Sequence, residues 1–254
     1  MYVVGGAERN QLSPDGVLSL ACGDFYQDLP EKVRCAIEFC AQNLAFERVV
    51  KVDDDVFINF ENFYPVIEST PHDYFGKRTP SRAGIKPSST WHYGKVSAGS
   101  DHIDVPFEIQ GPPDHWAGGG LYVMNFAAAQ YFRTPVARAL SNYHLYEDFM
   151  TGDILARHGV LAHVWDSSAV QARGEWCVTN LLDVFEKDIR SIRDVDRVAN
   201  SISIHCGSYA PNYVISESDL AEIFGIISEQ GGIVSGSLGS SGSDVSIVDA
   251  WKPN

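Results

Sequence analysis

The sequence predicts an α/β fold, and three observations carry that expectation. Short apolar runs alternate with stretches of helical spacing in the N-terminal part, giving strand, helix and strand in turn. The 254 residues are 44% hydrophobic, enough for one large domain with a substantial core. A valine-rich run, Val49-Val50-Lys51-Val52, leads straight into Asp53-Asp54-Asp55, and open α/β sheets bind ligands at the C-terminal ends of their strands. The expected organisation is one domain over residues 1–230 and a flexible tail over 231–254.

Tyr2 to Gly5 is a short apolar strand ending in a Gly-Gly turn, and a polar loop follows to Pro14. Val17 to Ala21 reads as a second strand. Asp28-Leu29-Pro30-Glu31-Lys32 then opens a helix, with Asp28 as cap and Pro30 in the first turn; Val33, Ala36, Ile37, Cys40 and Leu44 continue it at helical spacing. Val49, Val50 and Val52 are β-branched and read as a buried strand of a parallel sheet. Phe60 to Glu68 reads as a helix closed by Pro71. From Thr79 to Pro113 the chain is rich in Gly, Ser, Pro and aromatics, the composition of a binding face built of short strands and loops. Phe126 to Ala139 is a helix interrupted by Pro135. Gly231 to Ser243 has too little apolar surface to offset the entropy of ordering, hence the flexible tail.

Composition narrows the function. A formal charge of −14 argues against nucleic acid or anionic membranes as partners, since both need positive surface. No stretch approaches the roughly 18–20 apolar residues of a membrane span, and Met1 to Gly6 lacks the pattern of a signal peptide. The five cysteines, Cys22, Cys35, Cys40, Cys177 and Cys206, are odd in number and lack CxxC spacing, so neither a zinc ribbon nor a complete disulfide framework is expected. A reducing cytoplasm suits them.

Three adjacent carboxylates repel one another, and a metal ion bridged to phosphate oxygens would relieve that repulsion. A solvated acidic turn is the plainer alternative. In Trp116-Ala117-Gly118-Gly119-Gly120-Leu121-Tyr122-Val123-Met124-Asn125, glycines that allow close backbone approach of a ligand precede an apolar strand. Alone they read equally as a turn, lacking the Walker lysine and the dinucleotide spacing. In Tyr146-Glu147-Asp148-Phe149-Met150-Thr151-Gly152 a carboxylate pair opens a helix, which simple electrostatic capping also accounts for. Trp91, His92, Trp116 and Tyr122 are candidates for stacking on a ligand, Trp116 first among them, although aromatics in a chain of this size are mostly core.

Taken together, these segments resemble the β-1,3-galactosyltransferase and Fringe-like glycosyltransferases. Lys51-Val52-Asp53-Asp54-Asp55-Val56-Phe57-Ile58-Asn59 is closely similar to the family's K-x-D-D-D-V-F-V-N segment. Glu147 to Gly152 resembles its E-D-V-x-x-G motif with phenylalanine for valine. Gly23 to Lys32 is an imperfect likeness of D-F-x-D-x-Y-x-N-L-T-x-K that keeps Lys32, Trp116 to Asn125 resembles the glycine-rich strand, and Ser203-Ile204-His205-Cys206 resembles the late strand ending in a metal-binding histidine. The matches run in family order over roughly Tyr2 to Tyr213.

The resemblance implies a GT-A fold, a Rossmann-like mixed sheet flanked by helices, and transfer of a sugar from a UDP-sugar to a glycan hydroxyl with inversion. It implies Asp55, Asp53 and His205 as ligands of Mn²⁺ or Mg²⁺, with one imidazole favouring Mn²⁺. Asp148 is implied as the base, with Glu147 as the exchangeable candidate. Asp53, Asp54, Gly118, Gly119, Gly120, Trp116 and Lys32 are implied on the donor side. His205 ranks above His158, which precedes a helix-ending glycine, and His163, which sits mid-strand.

The family's usual first strand and arginine-rich segment find no counterpart here. Either the chain is a shortened form, or the gene start is misassigned, or Tyr2 to Gly5 takes over as first strand, with Arg9 as a possible contributor to the nucleotide pocket. With neither the N-terminal membrane helix nor the paired cysteines of Golgi members, a cytoplasmic enzyme is expected. Two other readings stay open: a carbohydrate or nucleotide-sugar binding protein of the same fold, and a metal-dependent phosphotransferase or hydrolase, which lacks an identifiable nucleophile or lysine clamp. Donor sugar, acceptor and oligomeric state are not legible.

Overall fold

The structure is a computed structural model that describes residues 1–53, 56–77, 88–109, 116–165, 177–180, 201–205 and 234–235, the last three segments as backbone. The fold is mixed α/β. In chain order the elements are β1 (Tyr2–Val4), β2 (Gln11–Leu12), β3 (Val17–Ser19), α1 (Leu29–Asn43), β4 (Arg48–Val52), β5 (Val56–Asn59), α2 (Phe60–Ser69), β6 (Tyr74–Lys77), β7 (Ser88–Ser89) and β8 (Phe107–Glu108). They continue with β9 (Leu121–Asn125), α3 (Phe126–Ala129), α4 (Pro135–Tyr143), α5 (Glu147–Ala156), β10 (His163–Trp165), β11 (Cys177–Asn180), β12 (Ser201–His205) and β13 (Val234–Ser235). Two compact units result: Met1–Val50 with His72–Val164, and Lys51–Pro71 with Trp165–Asn254. Each is described by itself.

In the first unit β1 and β3 pair in parallel and β2 joins β3 antiparallel. A four-stranded sheet runs β10-β6-β9-β4, with β6 and β9 antiparallel. Because β9 lies inside that sheet, Leu121, Tyr122, Val123 and Met124 are all buried, the reason its sequence is apolar without alternation. Val33, Ile37 and Ala41 of α1 pack with Ala137 and Leu140 of α4, Met150, Ile154 and Leu155 of α5, and Tyr122 and Met124 of β9. The helices thus bury one core against β9, and they set where α5 begins.

Several expectations are corrected. Val49 and Val50 are only half-buried and Val52 is 40% exposed, so the valine strand is not a buried one. Nor is the sheet wholly parallel, since β6·β9 is antiparallel. Asp28 precedes α1 and Pro30 sits in its first turn, but the Asp28 carboxylate accepts from the Phe25 N–H at 3.0 Å, closing a 3-10 turn over Tyr26–Asp28 instead of capping α1. The polar loop before Pro14 contains β2. His163 opens β10 and stacks on His72 with ring centroids 3.6 Å apart. The break at Pro135 is sharper than a kink: α3 passes through a 3-10 turn, and α4 starts afresh with Thr134 accepting from the Ala137 N–H. Pro at the first helical position and a threonine before it are a new helix start.

In the second unit β12 pairs with β11 in parallel and with β5 antiparallel, His205 standing opposite Val56. β13 adds to the other side of β5, Val234 opposite Asn59, so part of the stretch expected as a flexible tail is a strand. The rest of that stretch lies outside the described residues. Among the described residues no helix is long and apolar enough to cross a membrane.

Candidate active site

Glu147 and Asp148 begin α5 after Tyr146, whose backbone is extended. Two carboxylates in a first turn are favoured by the positive end of the helix dipole. The two differ in environment. Glu147 is 5% exposed, and its Oε2 accepts from the Tyr122 hydroxyl at 2.9 Å; the same hydroxyl lies 3.2 Å from Thr151 Oγ1. Thr151 is four residues beyond Glu147 and so shares its helix face. Burial, and then the Glu147 charge, hold the Tyr122 phenol well above its ordinary range, so it remains a donor. Asp148 is only half-buried, and its Oδ1 accepts from the Phe149 N–H at 2.9 Å. Of the pair, Asp148 is the more accessible.

The glycine segment meets this helix start. A Cβ on Gly119 would stand 2.6 Å from Glu147 Oε1 and 3.7 Å from Asp148 Cβ, so a side chain here would require the Glu147 carboxylate to shift. Gly118 is buried, and Gly119 and Gly120 are half-buried in the turn that feeds β9. Ala117 donates its N–H to Tyr74 Oη at 2.9 Å, anchoring the segment to β6. Trp116 is 5% exposed and packs on Phe149, ring centroids 4.1 Å apart. Trp116, Gly118, Gly119, Gly120, Glu147 and Asp148 therefore belong to one neighbourhood of the first unit.

Lys32, also in that unit, lies in the first turn of α1 with its ammonium 2.7 Å from Asp24 Oδ1. Burial raises the Asp24 pKa, but the Lys32 hydrogen bond and the Gly5 backbone outweigh it, and the carboxyl ends below the ordinary value.

In the second unit the Asp53 carboxylate is ion-paired with Lys51, and Asp53 accepts the Val56 N–H on its carbonyl at 3.2 Å. Asp54 and Asp55 lie outside the described residues, and of His205 the backbone is described. Among the described residues, no group of three His, Cys, Asp or Glu side chains is arranged to hold a metal ion.

In the sequence Tyr122 has no role beyond stacking, Tyr146 and Thr151 stand only as members of the carboxylate-pair segment, and Tyr74 does not figure. Thr151 was findable from its four-residue spacing to Glu147. The tyrosines were not, because their roles depend on strand register across β6, β9 and the start of α5.

No protein-family model matches the chain, and no curated protein matches it significantly.

Proposed function

We propose that the chain is a metal-dependent, inverting glycosyltransferase that moves a hexose or N-acetylhexosamine from a UDP-sugar to a glycan hydroxyl, forming a β-1,3 linkage, on a GT-A fold. The observation that carries the reading is the β5–β12 register, His205 opposite Val56. Paired residues on antiparallel strands have Cα atoms about 4.5–5.5 Å apart. A histidine from far along the chain thus returns beside the strand into which Asp53-Asp54-Asp55 lead, and carboxylate oxygen with imidazole nitrogen is a donor set suited to Mn²⁺.

Asp55 and His205 would hold the ion. Asp53, which Lys51 already neutralises, would serve the ribose or a metal-bound water, with Asp54 beside it. When bound, the ion supplies Lewis-acid stabilisation of the departing diphosphate. The chain's own groups do the remainder. Asp148, the more accessible carboxylate, takes the proton of the acceptor hydroxyl as the new C–O bond forms. Glu147, fastened by Tyr122, holds the first turn of α5 in place. From the family likeness, the backbone at Gly118, Gly119 and Gly120, together with Trp116 and Lys32, is assigned to the donor side. The odd cysteine set fits a cytoplasmic site of action.

The test is a panel of UDP-galactose, UDP-glucose and their N-acetylamino counterparts, each with and without Mn²⁺, scored for UDP release and sugar transfer. Wild type is expected to turn over at least one donor with Mn²⁺. Asp148→Asn should lose roughly 100-fold or more of that rate, the span of a general base, while UDP with Mn²⁺ still raises its melting temperature. The second reading is a carbohydrate or nucleotide-sugar binding protein of the same fold that does not turn over. Donor binding without release or transfer for any donor would establish that reading in place of the first.

A further inference from the structure

The segment between β7 and β8 lies within the first unit. Its centre is His92, 0% exposed. His92 Nε2 lies 2.9 Å from the His102 carbonyl and 3.0 Å from the Val105 carbonyl, two acceptors, so Nε2 carries the proton. On the other side of the ring, Nδ1 lies 2.7 Å from the Tyr146 hydroxyl. The Tyr146 hydroxyl donates to Ser89 Oγ at 3.0 Å, and Ser89 Oγ also accepts the Trp91 N–H at 3.2 Å. A continuous chain thus runs from the backbone of Trp91 through Ser89 and Tyr146 to His92. Tyr146 is the residue from which α5 starts.

The side chain of the residue whose backbone this chain holds is not buried. Trp91 is 48% exposed, and the Lys95 ammonium sits 3.5 Å from its ring centroid and 5.6 Å from that of Tyr26. Gln27 secures the same neighbourhood, donating to Ser97 Oγ at 2.7 Å and accepting the Ser97 N–H at 3.2 Å. Holding a large indole partly in water costs hydrophobic free energy, and the Lys95 cation on its face offsets part of that cost while the hydrogen-bond chain holds the Trp91 backbone. The groups around it are a hydroxyl, an ammonium and aromatic faces. That mixture matches a sugar, whose C–H face packs on an aromatic ring while its edge hydroxyls exchange hydrogen bonds. An apolar peptide would meet charge at Lys95, and a nucleic acid would meet a chain of net charge −14.

We propose that Trp91 is the platform on which a pyranose ring of the acceptor stacks, positioned relative to the first turn of α5 by the Ser89–Tyr146–His92 chain. The inference rests on the glycosyltransferase reading for the ring's being the acceptor's; sugar binding at Trp91 has a test of its own. Methyl β-glycosides of galactose, glucose, N-acetylglucosamine and N-acetylgalactosamine are titrated into the whole chain, with and without UDP and Mn²⁺, and followed by saturation-transfer NMR. At least one is expected to receive saturation on the C–H protons of one ring face. That signal should fall roughly five-fold or more in Trp91→Ala and stay within about two-fold of wild type in Trp91→Phe, which keeps a stacking face. Equal signals in wild type and Trp91→Ala, or none from any glycoside in either condition, would overturn the proposal. UDP release by wild type judges the enzymatic reading separately: glycoside binding at Trp91 without UDP release leaves a sugar platform on a protein that does not transfer.

Discussion

Adjacent residues can share a helix turn and have different duties, and Glu147 and Asp148 do. Glu147 is buried on Tyr122 and against Gly119, whereas Asp148 keeps access to solvent. Tyr122→Phe takes away a 2.9 Å donor from a buried carboxylate and should cost about 1–3 kcal/mol, measurable as a lower denaturant midpoint with unchanged slope. His144 supplies a pH dependence. Its Nε2 lies 3.1 Å from Asp153 Oδ2, and its buried Nδ1 finds no hydrogen-bond partner among the described residues. Protonation would create a buried N–H with nothing to receive it. Burial therefore lowers the imidazole pKa below its ordinary 6.5, with Asp153 only partly opposing. The folded state then binds fewer protons than the unfolded one. Stability from this group is full above pH 6.5 and drains away as pH falls below it toward the depressed folded value. For Asp153, burial raises the pKa, but hydrogen bonds from Arg157 and His144 lower it further, so its contribution is lost only at more acid pH, below 3.8. Stability curves for wild type and His144→Leu should differ in slope just below pH 6.5; parallel curves there would refute the assignment.

At the scale of elements, the sequence made α1, α2, α5, β9 and the break at Pro135 legible, because each is written in local chemistry: spacing, caps and proline geometry. At Pro135 the sequence marks the break but not the threonine that caps the new helix. Thr134 caps α4 through the Ala137 N–H at 3.2 Å, so Thr134→Ala should cost about 1 kcal/mol, read from thermal unfolding, whereas truncation at the exposed Val136 should cost much less. What stayed illegible depended on partners distant in sequence. The valine run before Asp53 reads as buried by composition, yet Val52 is 40% exposed, since burial is decided by what packs on a strand and not by its own hydrophobicity. Likewise nothing local in Val234-Ser235 announces pairing with β5. Of the candidate site, the residue types of the glycine turn and the carboxylate pair were readable. The tyrosines that organise them were not, nor was the buried His92, because only the folded chain brings His102, Val105 and Tyr146 to its ring.

For the whole molecule, the proposed chemistry depends on whether the acidic triplet and the late histidine act as one cation site. The pairing of β12 with β5 gives that idea its physical basis, and a charge of −14 adds a general attraction for divalent cations that a specific site must exceed. The most direct measurement compares the melting temperature of wild type, Asp55→Asn and His205→Ala with Mn²⁺ alone and with Mn²⁺ plus UDP at physiological ionic strength, where diffuse attraction is screened. The account predicts that Mn²⁺ plus UDP stabilises wild type by several degrees and that each substitution abolishes most of the shift. Shifts of equal size in all three proteins, or none in any of them, would contradict it.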